Sequence, residues 1–144
     1  MQSVESPFIW PIRVYWEDTD AGGVVYHASY LRFLERARSE WMRSLGYAQQ
    51  ALREREDAVF VVRSMQLEFL RAARLDDELS VEAALVALRP ASLLLAQTIR
   101  RGGETLLTAE VKVACVTSDF RPRAVPVVLA ADLKKEKVKE KGSE

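Results

Sequence analysis

The chain has 144 residues, of which 21 are basic and 21 are acidic, and 49% of them are hydrophobic. This length fits one domain with a single core, and the composition is that of a globular protein rather than a disordered one. A formal net charge of zero gives no general attraction to nucleic acid or anionic lipid. Binding to polyanions through bulk charge is therefore excluded as the main function.

Nothing in the sequence predicts membrane insertion or export. The longest apolar runs, such as residues 124–131, fall well short of the roughly 20 residues of a membrane-spanning helix, and the N-terminus lacks the pattern of a secretory signal. The single cysteine, Cys115, allows no intrachain disulfide and no thiol cluster for zinc. We therefore expect a cytoplasmic protein with no metal site and no cofactor.

The first part of the chain predicts one strand followed by a long helix. Residues 8–17 alternate between apolar and polar side chains, with Pro11 indicating a sheet edge. Residues 29–45 place bulky apolar side chains at helical spacing, and Gly46 is a natural terminator. A second, short helix is predicted at about residues 48–56.

Four more strands are predicted, at residues 59–70, 79–88, 92–101 and 105–117. Arg63 interrupts the apolar face of the first of them, and Cys115 lies on the buried face of the last, where we expect inert packing. The connectors are short and carry turn residues, so consecutive strands are expected to be antiparallel neighbours.

This order of elements predicts an α+β domain. A helix with so wide an apolar face needs a large surface to cover it, and a sheet of about five antiparallel strands provides that surface by curling around the helix. That arrangement is the hotdog fold. We expect the domain to span residues 1–133. Residues 134–144, which hold five lysines and three glutamates, are expected outside the core as a solvated helical extension or a frayed end.

The densest polar segment, residues 17–30, links the first strand to the long helix. It contains Asp18, Asp20 and His27, the only histidine of the chain. The Gly22-Gly23 pair allows the backbone to approach a ligand closely. The free N–H groups at the helix start, with the helix dipole, favour negative charge that develops during a reaction.

Three interpretations compete for this segment. A calcium loop fails because Ser29 stands where a bidentate glutamate is required. A structural turn, in which the aspartates cap backbone groups, is common for such sequences. The third interpretation is catalytic, with one carboxylate as base or nucleophile beside the helix end. A Ser-His-Asp hydrolase fits poorly without G-x-S-x-G, and no nucleotide-binding glycine motif is present.

Residues 14–31 (VYWEDTDAGGVVYHASYL) and 35–38 (ERAR) closely resemble the Tol-Pal-associated acyl-CoA thioesterases, in the 4-hydroxybenzoyl-CoA thioesterase branch of the hotdog superfamily. Further matches occur at residues 73–77 and 120–123. The resemblance covers roughly residues 8–133. One departure is Trp16, where many relatives have a tyrosine.

The resemblance implies an acyl-CoA thioesterase in which Asp20 and His27 are catalytic and Asp18 is structural. Asp20 either attacks the thioester carbonyl or acts as general base toward water, and the sequence leaves both open. The leaving thiol has a pKa of about 8.5 and needs little acid catalysis. The backbone N–H groups of His27 and Ala28 would polarise the carbonyl oxygen.

The resemblance also implies an acyl-CoA substrate and a homo-oligomer. Two chains would form a dimer with a continuous sheet, and two such dimers would form a tetramer. Acyl carrier protein is a possible partner. The alternative function is a non-catalytic module that binds acyl-CoA or acyl carrier protein. The candidate substrate-binding residues are Gly23, Tyr26, Ser64, Arg63 and Arg89, with Arg121 and Arg123 as further phosphate ligands.

Overall fold

The part of the protein that the structure describes forms a five-stranded sheet and three α-helices. A computed structural model describes residues 7–142, with side chains through residue 136. The strands are β1 (Phe8–Arg13), β2 (Val59–Phe69), β3 (Glu78–Arg89), β4 (Ser92–Arg101) and β5 (Glu104–Val116). The helices are α1 (His27–Ser44), α2 (Gln49–Glu56) and α3 (Val127–Gly142), with a 3-10 turn at Trp16–Asp18.

The sheet is antiparallel throughout, with the strand order β1-β3-β4-β5-β2. β1, which contains Pro11, forms an edge, as predicted. The expectation that consecutive strands are neighbours is confirmed for β3-β4 and β4-β5 but is wrong for β2 and β3, which lie three places apart. Residues 70–77, which we call the crossing segment, connect them, and their backbone groups pair with Val14, Val25 and Leu106 instead.

Helix α1 packs its apolar face against this sheet, mainly on β3 and β1. The predicted face is buried, and its fully or almost fully covered side chains are Tyr30, Phe33, Leu34, Ala37 and Trp41. One polar contact joins helix and sheet at the centre: buried Gln97 donates to the carbonyl of Leu34 at 3.1 Å and accepts from the Arg38 guanidinium at 3.0 Å. The predicted α+β arrangement of a long helix covered by five strands is therefore confirmed.

The first strand ends earlier than its alternation predicts. Residues 8–17 were expected on one strand with Trp16 on the inner face, but β1 stops at Arg13 and Trp16 is 78% exposed. The cause is Asp18, whose Oδ2 accepts the N–H of Tyr15 at 2.9 Å and turns the chain into a 3-10 turn. This turn redirects the chain toward α1.

Strand β2 carries a bulge at Arg63. The pairing register with β5 shifts between Val62 and Ser64, so the extra residue interrupts the alternation at the position the sequence indicated. Cys115 of β5, which pairs with Phe60 of β2, is buried as predicted, and burial raises the pKa of its thiol, which keeps it protonated and unreactive.

Helix α3 begins at Val127, seven residues before the segment, residues 134–144, for which a helical extension was one of the two expectations. Its Leu129 and Leu133 are fully buried, so the apolar run at residues 124–131 is part of the core. The predicted domain boundary after residue 133 lies inside this helix, and the division into domain and tail stays a prediction. No helix within residues 7–142 is long and apolar enough to cross a membrane.

Candidate active site

The segment between β1 and α1 folds into a tight loop with Asp20 near its tip. Thr19 and Val25 pair across the loop as an antiparallel bridge. Inside this bridge, the N–H of Asp20 donates to the carbonyl of Val24 at 2.9 Å, and the N–H of Gly23 donates to the carbonyl of Asp20 at 3.1 Å. The backbone of Asp20 is thus held on both sides by hydrogen bonds.

The Asp20 side chain is exposed and oriented by the glycine pair. Its Oδ1 accepts the N–H of Gly22 at 2.8 Å, while Oδ2 has no hydrogen-bond partner among the described residues. A Cβ at Gly22 would lie 3.2 Å from Oδ1, tighter than an ordinary contact. Gly23 has φ of 82°, which favours glycine, and the missing Cβ of Gly22 leaves room for the Asp20 carboxylate. One carboxylate oxygen remains free to react.

Helix α1 begins at His27, with Tyr26 as the preceding cap residue. In the described part of the chain, the N–H groups of His27 and Ala28 donate to no protein acceptor. The positive end of the helix dipole lies at the same place. The imidazole of His27 is exposed, and its ring centroid is 4.5 Å from that of Tyr26. The helix start therefore offers two free donors and an accessible imidazole.

Asp18 differs from Asp20 because it is buried and its contacts are internal. Besides the bond to Tyr15, its carbonyl accepts the N–H of Tyr26 at 2.9 Å, and its Oδ1 is 3.9 Å from the Arg32 guanidinium. These contacts join the 3-10 turn to the start of α1. They fit the structural role expected for Asp18 and leave it unavailable to a substrate.

The crossing segment pairs with the backbone of the loop that carries Asp20. Val25 donates its N–H to the carbonyl of Ala73 at 2.9 Å, and Val24 bridges to Arg74. The N–H of Ala73 in turn donates to the phenolic oxygen of buried Tyr30 at 2.9 Å. The sequence showed residues 73–77 only as part of a resemblance, and the polar role of Tyr30 was missed because it lies on the apolar face of α1.

Asp77 fixes the end of the crossing segment. Its Oδ2 accepts the Arg74 N–H at 2.8 Å and the Arg101 guanidinium at 2.6 Å. Burial raises the pKa of this carboxyl, but the two donors and the positive charge of Arg101 outweigh burial and lower the pKa below its ordinary value. Arg101 also pairs with Glu104 at 2.7 Å. Asp77 and Arg101 are further residues that sequence reasoning missed.

The structure does not bring the other candidate residues to Asp20 within one chain. Ser64 and Arg63 lie exposed on β2, and Arg121 is exposed after β5. Arg123 pairs with Glu56 at 3.5 Å. Arg89 ends β3 beside Pro90, whose carbonyl accepts the N–H of Val125.

Arg89 and Arg123 belong to the end of the molecule where α1 stops. Val125 and Arg123 line one cavity together with Gly46, just beyond the last turn of α1. Because α1 has 18 residues, the helix is about 27 Å long, and the Asp20 loop lies at its other end. Among the described residues, no three His, Cys, Asp or Glu side chains cluster as metal ligands.

Comparison with known proteins identifies relatives along most of the chain. A family model described as the thioesterase-like superfamily matches residues 14–136. The chain is 50% identical over 129 residues to the acyl-CoA thioester hydrolase YbgC of Escherichia coli O6:H1, covering 88% of this chain and 96% of that protein. It is 46% identical over 124 residues to the acyl-CoA thioesterase YbgC of Haemophilus influenzae, covering 85% and 91% of the two chains.

A solved structure is similar as well. A probable thioesterase from Bartonella henselae matches with a TM-score of 0.82 and 37% sequence identity, covering 84% of this chain and 100% of that chain. The predicted hotdog fold and the resemblance to acyl-CoA thioesterases are thereby confirmed. The chain belongs to the thioesterase-like superfamily.

Proposed function

We propose that this protein hydrolyses acyl-CoA thioesters to a free acid and CoA, with Asp20 as the catalytic carboxylate. The observation that carries the proposal is an exposed carboxylate with one free oxygen, on the loop that leads to two unpaired N–H groups at the start of α1. The similarity to proteins named acyl-CoA thioester hydrolase supports the choice of substrate.

Two routes use the same groups. In the first, an Asp20 oxygen attacks the thioester carbon, the carbon–sulfur bond breaks, CoA leaves as a thiolate, and water then hydrolyses the mixed anhydride. In the second, Asp20 removes a proton from a water molecule that attacks the same carbon, and the carbon–sulfur bond breaks as CoA leaves as a thiolate. In both routes, the N–H groups of His27 and Ala28 stabilise the oxyanion. The His27 imidazole orients the water or the substrate.

A homodimer completes the site in this proposal. β2 forms a sheet edge, and none of its residues is buried in the described chain. β2 runs opposite to α1, because Phe69 contacts Tyr30 near the helix start whereas Phe60 shares a small cavity with Met42 near the helix end. Antiparallel pairing of two β2 edges would bring the Asp20 loop of one protomer toward the end of the other that carries Arg89 and Arg123.

In this dimer, Arg63 and Ser64 lie near the two-fold axis. They contact the CoA portion of the substrate together with Arg89, Arg121 and Arg123 at the end of the protomer. Gly23 and Tyr26 contact the acyl thioester end. Two dimers form the tetramer that the resemblance implies, and light scattering on the purified protein measures the state directly. Acyl carrier protein as a second acyl donor, the Tol-Pal association and the cytoplasmic location stay predictions.

The decisive experiment is thiol release from a panel of short, long and aromatic acyl-CoA substrates. The Asp20→Asn variant should lose at least about 100-fold in kcat and keep the parent's melting temperature. The matched control is Glu17→Gln, an exposed carboxylate a few residues earlier, which should retain activity. An Asp20→Asn enzyme as fast as the parent rejects the assignment. Binding of acyl-CoA or acyl carrier protein without thiol release from any substrate would favour the non-catalytic module.

A further inference from the structure

A second concave site lies at the end of α1 that is remote from the Asp20 loop of the same chain. It is a cavity of about 640 Å³ between α2 and residues 123–129, where α3 begins. Its apolar lining includes Ala48, Ala51, Leu52, Val125, Pro126 and Leu129. Ligand pockets commonly have about 300–1,000 Å³ and a mostly apolar wall. The cavity therefore has the size and lining of a small-molecule site.

Uncovered apolar side chains extend this wall. Val127 and Val128, on the first turn of α3, also line the cavity and are 85% and 69% exposed. A ligand that covers large apolar side chains grouped beside a cavity removes their surface from water, and this makes binding more favourable. The ligand must therefore present a substantial apolar part.

The charges at the cavity limit the ligand further. Three charged residues line it, and two of them, Arg123 and Glu56, pair with each other at 3.5 Å. The Tyr47 hydroxyl is bonded to Asp132 at 2.6 Å. Arg55 has neither an ion-pair nor a hydrogen-bond partner among residues 7–136. One unpaired positive charge thus remains on an otherwise apolar or neutralised wall.

This charge pattern separates the candidate ligands. The nucleotide end of CoA carries several negative charges, and Glu56 would oppose it while a single free guanidinium faced it. A neutral apolar molecule would leave Arg55 unused. An alkyl chain with one carboxylate matches both the apolar wall and the single free charge.

We propose that this cavity binds a free long-chain fatty acid, with the alkyl chain against Ala51, Leu52 and Pro126 and the carboxylate on Arg55. If a methylene group takes about the 30 Å³ that water takes in the liquid, a chain of about 12 to 16 carbons fills about 360–480 Å³. The inference goes beyond the proposed hydrolysis, because no residue of the Asp20 loop lines the cavity. Of the proposed CoA ligands, Arg123 is shared with the cavity wall, where it pairs with Glu56 and is not the group assigned to the fatty acid.

The test is calorimetric titration of the full-length protein with dodecanoate. Arg55→Gln should weaken binding about tenfold, and Ala51→Phe, which fills the cavity, should weaken it at least as much. The matched control is Arg53→Gln on the same helix, since Arg53 does not line the cavity, and it should bind as the parent does. Dodecanol, which lacks the charge, should bind the parent more weakly than dodecanoate.

The Asp20→Asn variant separates this site from the hydrolytic one, because it should bind dodecanoate with the parent's affinity whether or not the proposed hydrolysis is correct. Absence of dodecanoate binding overturns the inference. So does binding that Arg55→Gln and Ala51→Phe both leave unchanged, or binding that is lost in Asp20→Asn. Arg55 is exposed, so Arg55→Gln should keep the parent's melting curve and remain informative if Ala51→Phe folds poorly.

Discussion

The phenolic oxygen of Tyr30 accepts a hydrogen bond from the N–H of Ala73 at 2.9 Å, which joins the first turns of α1 to the crossing segment. The carbonyl of Ala73 accepts the N–H of Val25 on the Asp20 loop, also at 2.9 Å. Tyr30 and Ala73 are both buried, so water cannot replace the bond. Two hydrogen bonds in series therefore fix the loop relative to the helix start.

Replacing Tyr30 by phenylalanine should lower activity through this connection. The ring remains to pack against Phe33 and Phe69, but the buried N–H of Ala73 loses its acceptor, which costs about 1–3 kcal/mol of unfolding free energy. Because the loop shifts relative to the helix N–H groups, kcat should fall about tenfold or more while KM changes little. Urea unfolding and thioester kinetics on the same preparations measure both effects.

Tyr47→Phe is the matched control for this prediction. The Tyr47 hydroxyl also makes a hydrogen bond, to Asp132 at 2.6 Å, but this bond is only partly buried and lies beyond the far end of α1. Its loss should cost stability of a similar order without changing kcat. Equal losses of activity in the two variants would show that Tyr30 acts through general stability rather than through the loop.

Elements with a strong local pattern were predictable from the sequence. The face of α1 followed from helical spacing, and the interruption at Arg63 followed from a break in alternation that the structure explains as a bulge. The early end of β1 was not predictable, because the bond from the Tyr15 N–H to Asp18 overrides an alternation that continues to Trp16. The position of β2 in the sheet was missed for a different reason. The length of a connector does not determine which strands pair with each other across the sheet.

The residues of the candidate site also divide into those that a local sequence pattern indicates and those that it does not. The loop motif and its glycines are local, so the segment with Gly22 and Gly23 could be selected from the sequence pattern, whereas the choice of Asp20 over Asp18 came from the resemblance. The residues that hold the loop from a distance could not, because Tyr30 and Asp77 act across the fold through the crossing segment. The core-packed start of helix α3 was missed because its buried Leu129 and Leu133 lie just before a charged sequence.

Gly22→Ala should reduce activity by displacing the Asp20 carboxylate. The added Cβ would lie 3.2 Å from Oδ1, and that side chain must move by a few tenths of an ångström. Reactions that depend on the placement of one oxygen are sensitive to such shifts, so we expect about a tenfold lower kcat with little change in unfolding free energy. Gly103→Ala, where a Cβ meets nothing within 4 Å, is the control and should leave both quantities unchanged.

The ion pair between Asp77 and Arg101 should make part of the stability depend on acid pH. The pKa of Asp77 is lower in the folded protein than the value of about 3.9 in the unfolded chain. Its stabilising contribution is therefore complete above about pH 4 and is lost as the pH falls through the folded pKa. Asp77→Asn should cost about 1–3 kcal/mol at pH 7.

The difference between Asp77→Asn and the parent should shrink below about pH 4, because the carboxyl becomes protonated first in the unfolded chain and then, at lower pH, in the folded protein. Urea unfolding at pH 7 and at pH 3 measures this change. The exposed pair of Glu78 and Arg13, at 3.2 Å, supplies the control, because Glu78→Gln should cost at most about 1 kcal/mol at pH 7. A constant difference across the pH range would contradict the role given to Asp77.

Two neighbouring residues of α3 test whether this helix belongs to the core. Leu133 is fully buried and Lys134 is exposed. Leu133→Ala should therefore cost about 2–5 kcal/mol of unfolding free energy, through lost burial and the cavity left behind. Lys134→Ala should change it by less than about 0.5 kcal/mol. Similar small effects of both changes in urea unfolding would mean that α3 is not packed on the sheet in solution, and the cavity between α2 and α3 would then lose one of its walls.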